Sequence, residues 1–115
     1  MHELSIALSI VDMIEEEADR LGGRHVQAVH LRIGRLSGVV QEALVAAYEL
    51  ACERTRLAGS RLVIEDVPVV AHCASCGAPR PVRSIQDMCC GVCGTPVTDV
   101  VEGRELLVTA LEMAP

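Results

Sequence analysis

Two cysteine pairs with the same spacing, Cys73–Cys76 and Cys90–Cys93, constrain this 115-residue chain more than any other feature. Each C-x2-C pair can form a tight turn that directs two sulfurs at one centre. Two such turns supply four thiolates in the tetrahedral arrangement that zinc takes in closed structural sites. The spacing therefore predicts one structural zinc ion bound by Cys73, Cys76, Cys90 and Cys93.

The other uses of cysteine fit this pattern less well. A redox dithiol is expected as a single C-x-x-C beside a thioredoxin-like βαβ pattern, and neither pair has that setting. A four-cysteine site leaves no coordination position for water, so zinc-dependent hydrolysis is not expected. Cys89 precedes Cys90 directly, but only Cys90 repeats the spacing of the first pair, and we interpret Cys89 as a spare thiol. Cys52 lies among Ala and Leu and is interpreted as a small buried hydrophobe.

Hydrophobic periodicity predicts the elements that surround the cysteines. Apolar residues recur at helical spacing over residues 4–21 and 40–54, and strand patterns cover residues 26–34, 61–67 and 105–113. Both faces of the last strand are apolar, so we expect it at the centre of a sheet. The predicted fold class is α/β, with two helices on one face of a small mixed sheet and an inserted four-cysteine zinc module.

Composition also divides the chain along its length. Residues 68–103 hold five of the six cysteines, several Gly and Pro, and little periodicity. They are predicted to form the zinc-binding module, whose folding depends on the metal because its own apolar residues are few. Residues 1–67, completed by the C-terminal strand in residues 104–115, are predicted to form the α/β domain.

Charge and composition exclude several classes of partner. The formal net charge is -6, all ten basic residues are arginines, and Tyr48 is the only aromatic residue. Nucleic acid is therefore not an expected partner, since its binding uses clustered positive charge and stacking aromatic rings. No stretch reaches the ~20 apolar residues that span a bilayer, so no membrane association is expected. The sequence leaves a homo-oligomer open.

The N-terminal residues are apolar but do not have the pattern of a secretory signal. They lack a positively charged start and continue into Glu15, Glu16 and Glu17. We interpret them as the beginning of the folded protein and expect a cytoplasmic location. In a reducing compartment, paired cysteines more often bind metal than form disulfides.

His2 offers a second set of metal ligands. We expect Met1 to be retained, because its removal usually needs a small second residue. The Met1 amine, the backbone nitrogens of His2 and Glu3, and the His2 imidazole could then chelate a metal through four nitrogens. Nickel(II) readily accepts square-planar nitrogen ligation, whereas zinc prefers a tetrahedral site. A Met-His start that arises by chance remains the plain alternative.

Several motifs, taken together, resemble those of one known family. They comprise the Met1-His2-Glu3 start, an amphipathic first helix, a strand ending in Ile33-Gly34, Ser37 in the following turn and the paired C-x2-C motifs. The combination is similar to the HypA/HybF family of nickel metallochaperones for NiFe-hydrogenase maturation, and it extends over nearly the whole chain.

The resemblance implies a role for each motif. It implies that His2 binds nickel with help from the Met1 amine, which makes the α/β domain the nickel-binding domain, and that the four paired cysteines hold zinc. It implies a HypB-type GTPase and a hydrogenase large subunit as partners, and a carrier rather than an enzyme. Some members place a carboxylate near the position of Val40, where this chain is apolar and Glu42 is the nearest acid.

Two other functions compete with nickel delivery. The chain could be a zinc-ribbon adaptor for protein interactions without a nickel function, in which case metal would bind only at the cysteines. It could also be a thiol oxidoreductase or a zinc hydrolase. The closed cysteine site disfavours the enzyme, and the sequence has no evident Ser-His or paired-carboxylate arrangement.

Overall fold

The computed structural model describes residues 2–115. In that range two helices and six strands follow one another in the order α1, β1, α2, β2, β3, β4, β5, β6. The helices are α1 (Glu3–Arg20) and α2 (Gln41–Cys52). The strands are β1 (Val26–Gly34), β2 (Arg61–Val67), β3 (Val70–Cys73), β4 (Ala78–Pro81), β5 (Asp99–Glu102) and β6 (Leu106–Met113).

The three strands predicted from the sequence, β1, β2 and β6, form a single mixed sheet. Its order is β2-β1-β6. Strands β1 and β2 are parallel: Arg32 pairs with Glu65, and further along both strands the Arg35 amide donates to the Val67 carbonyl. Strands β1 and β6 run in opposite directions: the Gly34 amide donates to the Glu105 carbonyl, and at the other end the Ala114 amide donates to the His25 carbonyl. With its two helices and its cysteine segment, the chain has the predicted α/β fold class, which is confirmed.

The predicted central position of the last strand is wrong, because β6 lies at the edge of the sheet and β1 is central. The β1–α2–β2 crossover places β2 on one side of β1, and β6 pairs with β1 on its other side. Much of β6 is consequently exposed, and Leu107 is 51% exposed. An apolar sequence on both faces of this strand does not correspond to burial on both faces.

A second sheet forms inside the cysteine segment, in the order β4-β3-β5. Both neighbours are antiparallel to β3, and the register places Cys73 opposite Ala78 and Ala71 opposite Arg80. The sequence analysis did not predict these strands. Each has four residues, which is too short for an alternating pattern to be recognised.

The chain divides into two compact units, and residues of β1, β2 and β6 belong to both. The first unit comprises the chain up to Leu31, Val39–Ile64 and Val108–Pro115, and the second comprises Arg32–Gly38 and Glu65–Leu107. In the first unit α1 packs against α2. The buried residues of these two helices are Ala7, Ile10, Val11, Ile14, Ala18, Leu44, Ala47, Tyr48 and Cys52.

Tyr48 and Cys52 show how α2 completes the core of the first unit. The Tyr48 hydroxyl lies 2.7 Å from Ser60 Oγ, so this buried polar group has a hydrogen-bond partner. Cys52 is only 3% exposed, and burial raises the pKa of its thiol. The interpretation of Cys52 as a small buried hydrophobe is confirmed.

The core of the second unit around the cysteines is small. Its buried members are Ala71, Cys73, Cys90 and Val97, and Cys76 and Val82 pack against them. Three of these six residues are cysteines of the predicted zinc site, so the side chains that would bind the metal also form this core.

Within the described residues 2–115, no helix is long and apolar enough to cross a membrane.

Candidate metal centre

The four paired cysteines form one cluster in the second unit. The Sγ atoms of Cys73, Cys76, Cys90 and Cys93 all lie within 4.8 Å of one another. Cys73 Sγ lies 3.5 Å from Cys93 Sγ, and Cys76 Sγ lies 3.9 Å from Cys90 Sγ. All four are free thiols rather than disulfides. The two sequence pairs thus converge on one centre.

Two similar turns produce this convergence. After each pair, a glycine amide donates to the carbonyl of the first cysteine, Gly77 to Cys73 at 2.8 Å and Gly94 to Cys90 at 2.9 Å. The φ angles of the two glycines are 68° and 78°, in the left-handed region that side chains with a Cβ disfavour. The repeated C-x2-C-G pattern is therefore the local signal for two matching turns.

Backbone N–H groups in these turns point at the sulfurs. Cys73 Sγ accepts from the Cys76 amide, and Cys90 Sγ accepts from the amides of Val92 and Cys93, each at 3.4 Å. Donors directed at sulfur favour the thiolate over the thiol. In keeping with this, the Cys93 amide is the main cause that lowers the pKa of Cys90.

Side chains complete the surroundings of the other two sulfurs. Cys93 Sγ lies 3.2 Å from Thr95 Oγ1, which lies 3.1 Å from Ser75 Oγ. The Thr95 contacts lower the pKa of Cys93 to about 6. The Arg80 guanidinium acts to lower the pKa of Cys76, but the neighbouring sulfurs and burial outweigh this and raise it to about 11.

The cluster fits a tetrahedral zinc ion. With Zn–S bonds of about 2.3 Å, neighbouring sulfurs of a tetrahedron lie about 3.8 Å apart, and the Cys73–Cys93 and Cys76–Cys90 separations of 3.5 and 3.9 Å bracket that value. Four ionised sulfurs at such distances repel one another unless a cation neutralises them. In keeping with that repulsion, the neighbouring sulfurs act to raise the pKa of Cys76.

Cys89 does not belong to the cluster. It pairs with Pro96 through an isolated β-bridge, and contact with Asp87 is the main cause that raises the pKa of its thiol. The donor set found among the described residues contains Cys90 and not Cys89. This agrees with the choice of Cys90 made from the repeated spacing.

His2 lies directly before α1 with its side chain exposed. Its carbonyl accepts the first hydrogen bond of the helix, from the Ile6 amide at 3.2 Å, while its imidazole makes no capping hydrogen bond. The amides of the first helical turn have no intrahelical acceptors, so the nitrogens of His2 and Glu3 are not needed by the helix. Met1, whose amine is the other expected ligand, lies outside the described residues.

Glu3 connects the start of α1 to the start of α2. Its carboxylate accepts a hydrogen bond from the Val40 amide at 3.2 Å, which lowers the pKa of Glu3. Val40 is the residue that precedes α2, and its own side chain is 59% exposed. The position at which some relatives were expected to carry an acid therefore lies beside the carboxylate of Glu3.

The remaining histidines are not among the donors that converge in the described part of the chain. His30 Nε2 lies 2.6 Å from a Glu112 carboxylate oxygen in the first unit, and His72 is exposed on β3. Sequence reasoning missed Thr95 and Arg80 as neighbours of the sulfurs. Thr95 follows Cys93 by two residues and could have been considered, but Arg80 is placed by β4, which no sequence pattern had predicted.

Comparison with known proteins supports the resemblance stated from the motifs. A family model described as "Hydrogenase/urease nickel incorporation, metallochaperone, hypA" matches residues 1–113. A protein of Roseiflexus sp. (strain RS-1), called hydrogenase maturation factor HypA, is 43% identical over 97% of this chain and 91% of its own length. Its counterpart in Geobacter metallireducens is 48% identical over 98% of this chain and 99% of its own length.

Solved structures give the same result for the fold. The nickel metallochaperone HypA from Helicobacter pylori superposes with a TM-score of 0.66 at 27% identity, covering 98% of this chain and 97% of that one. A second solution structure, of a HypA protein, gives a TM-score of 0.70 at 26% identity, with coverage of 99% and 97%.

Proposed function

Because the chain belongs to the HypA family of nickel metallochaperones for hydrogenase maturation, we propose that it binds Ni(II) at its N-terminus and delivers the ion to a maturing NiFe hydrogenase. The family consists of metallochaperones rather than catalytic enzymes. The proposed nickel ligands are the His2 imidazole, the Met1 amine and the adjacent backbone nitrogens. The proposed zinc ligands are Cys73, Cys76, Cys90 and Cys93.

The observation that carries the nickel proposal is the state of the first turn of α1. The His2 side chain is exposed and makes no capping hydrogen bond, and amides at a helix start have no intrahelical acceptors to lose. Nickel can therefore replace the amide protons without breaking the helix. Square-planar nitrogen ligation of this kind suits Ni(II).

Donor chemistry separates the two metals. Nitrogen donors are grouped in the first unit at His2, and four sulfurs are grouped in the second unit. Thiolates arranged as a tetrahedron favour zinc, and a closed set of four leaves no position for exchange. Bound zinc supplies structural stability there, whereas ligands from one short stretch can leave nickel one at a time during transfer.

The proposed partners follow from this division of roles. A HypB-type GTPase and a hydrogenase large subunit are the proposed source and destination of the nickel. Nickel transfer from the loaded protein to an immature large subunit, followed by metal analysis of the separated proteins, tests the destination. The zinc-ribbon adaptor without nickel function predicts no transfer.

Calorimetric titration with nickel tests the N-terminal site. We expect the untagged protein to bind nickel, and His2→Ala and an N-terminally tagged form to lose that binding, because the tag converts the amine to an amide. Zinc content, measured in each sample, should not change. Nickel affinity should also fall as the pH is lowered, since the ligand nitrogens must lose protons.

His25→Ala is the matched control for this titration. His25 is another exposed histidine of the first unit, and its removal should leave nickel binding intact. Equal nickel binding by wild type, His2→Ala and the tagged form would show that the N-terminal site is wrong.

A further inference from the structure

The strand register places Arg80 on the same side of the second sheet as the cysteine cluster. Arg80 lies opposite Ala71, and its neighbour two residues earlier, Ala78, lies opposite Cys73. Ala71 and Cys73 are both 0% exposed. Along β4, Ala78 and Arg80 are half-buried while Pro79 and Pro81 are exposed, so the long Arg80 side chain is directed inward.

The Arg80 side chain is half-buried on the face of the sheet that also carries Cys73. Its Nε is buried and has no hydrogen-bond partner within the described part of the chain. A buried guanidinium nitrogen without a partner is costly, and it is normally retained only where a negative charge compensates it.

The proposed zinc site supplies that negative charge. One Zn²⁺ ion with four thiolates has a net charge of about -2, and two of the sulfurs, on Cys73 and Cys90, are fully buried. Backbone amides donate to those two sulfurs, and Thr95 lies beside Cys93. Within the described residues, neither a backbone amide nor a hydroxyl donates to the Cys76 sulfur, which lies against Cys90 Sγ, so this sulfur is the one left for a side-chain cation.

We propose that Arg80 is a positioning residue for the four-cysteine zinc site. A charged hydrogen bond from Arg80 holds the Cys76 thiolate on the metal, and the positive charge of Arg80 offsets the negative charge of the cluster. The inference depends on the proposed zinc function. Groups that hydrogen-bond to metal ligands tune affinity and protect the ligand from competing reactions. Arg80 therefore reduces the nucleophilicity of Cys76 and slows its release from zinc.

Three variants of the full chain test this role. Arg80→Met keeps the length and apolar stem of the side chain but removes the charge and the donors, whereas Arg80→Lys keeps the charge. We expect Arg80→Met to weaken zinc binding by about 10- to 100-fold in competition with a chelator, and Arg80→Lys to weaken it less. Arg83→Met is the control, since Arg83 pairs with Asp87 at 3.6 Å and has the same charge.

Two further measurements separate this role from mere packing. In the cobalt-substituted protein, Arg80→Met should shift the sulfur-to-cobalt charge-transfer bands while tetrahedral d–d bands remain. In the zinc form, iodoacetamide should alkylate Cys76 faster than in wild type, as mapped by peptide mass analysis. Wild-type affinity, bands and alkylation rate in Arg80→Met would overturn the inference, as would an equal loss in Arg83→Met. A wild-type protein that binds neither zinc nor cobalt would instead refute the proposed zinc site.

Discussion

Cys89 and Cys90 are adjacent in sequence, yet the structure gives them different surroundings. Cys90 is fully buried and accepts two backbone amides at its sulfur, while Cys89 is half-buried and lies beside Asp87. Donors at Cys90 favour its thiolate, and the negative Asp87 disfavours that of Cys89. Residue type alone therefore does not decide which thiol is suited to a metal.

This difference predicts opposite results for two serine substitutions. Cys89→Ser should retain one zinc per chain, because its sulfur is not among the four that converge. Cys90→Ser should lose zinc, since it removes a buried member of the set. Elemental analysis of the purified variants measures both. The reverse pattern would move the ligand by one position.

A second residue-scale prediction concerns Glu3. Glu3→Ala removes the acceptor of the Val40 amide and should weaken nickel binding, because the start of α1 is then no longer fixed to the start of α2. Glu3→Gln keeps an acceptor oxygen and should retain most of the affinity in a calorimetric titration. If Glu3→Gln loses as much affinity as Glu3→Ala, the carboxylate charge matters rather than the hydrogen bond.

The same contact has a defined pH dependence. The pKa of folded Glu3 lies below its ordinary value, so the carboxylate contact stabilises the fold above the pKa of the unfolded chain. That contribution is lost as the pH falls through the lowered pKa of the folded state. It is small, because Glu3 is near the surface.

At the scale of the elements, the end of β1 depends on a close backbone contact. A Cβ added at Gly34 would lie 2.1 Å from the carbonyl carbon and oxygen of Gly103 and 2.6 Å from the Arg104 nitrogen. These are backbone atoms, which cannot move aside as a flexible side chain can. The close approach occurs where the Gly34 amide donates to the Glu105 carbonyl.

Gly34→Ala should therefore reduce the free energy of unfolding by about 3 kcal/mol, at the upper end of overpacking effects. Gly59→Ala is the control, because no heavy atom lies within 4 Å of its added Cβ and only its φ of 78° is unfavourable. It should cost about 1 kcal/mol. Urea unfolding of the two variants and wild type gives the comparison, and an equal loss in both would contradict the contact argument.

Elements with long periodic patterns were predictable, and those fixed by tertiary context were not. β1 and β2 have the bounds that their patterns predicted. The edge position of β6 depends on which strand pairs with β1, and its apolar composition does not contain that information. The short strands β3, β4 and β5 depend on turns around the cysteine cluster.

The candidate site was predictable to a similar degree. Repeated spacing identified four cysteines that the structure brings together, since short-range turn chemistry is encoded locally. Arg80 could not be assigned, because its position depends on the register of β4 against β3. The Glu3–Val40 contact joins residues 37 positions apart, and no local pattern predicts such a pair.

At the scale of the whole molecule, we expect the two units to have different sources of stability. The first has a core of aliphatic side chains from two helices and strands, with Tyr48 fully buried among them. In the second, the core around the cysteines consists of Ala71, Cys73, Cys90 and Val97. Burial of so few apolar groups contributes little free energy, so metal binding should supply most of the stability of that segment.

Removal of zinc should therefore unfold one part of the chain and leave the other folded. Cys73→Ala with Cys93→Ala, or treatment with a strong chelator, should disorder residues 70–100, because four thiols without a cation repel or must take up protons. Helices α1 and α2 should persist, since their buried contacts lie in the first unit.

Hydrogen–deuterium exchange measures this directly. Amides of residues 70–100 should lose protection while those of α1 keep it, and re-addition of zinc to the chelated wild type should restore the pattern. Loss of protection in both units together would show that they fold as one. Full zinc content in the double variant would show that the cysteines do not bind it.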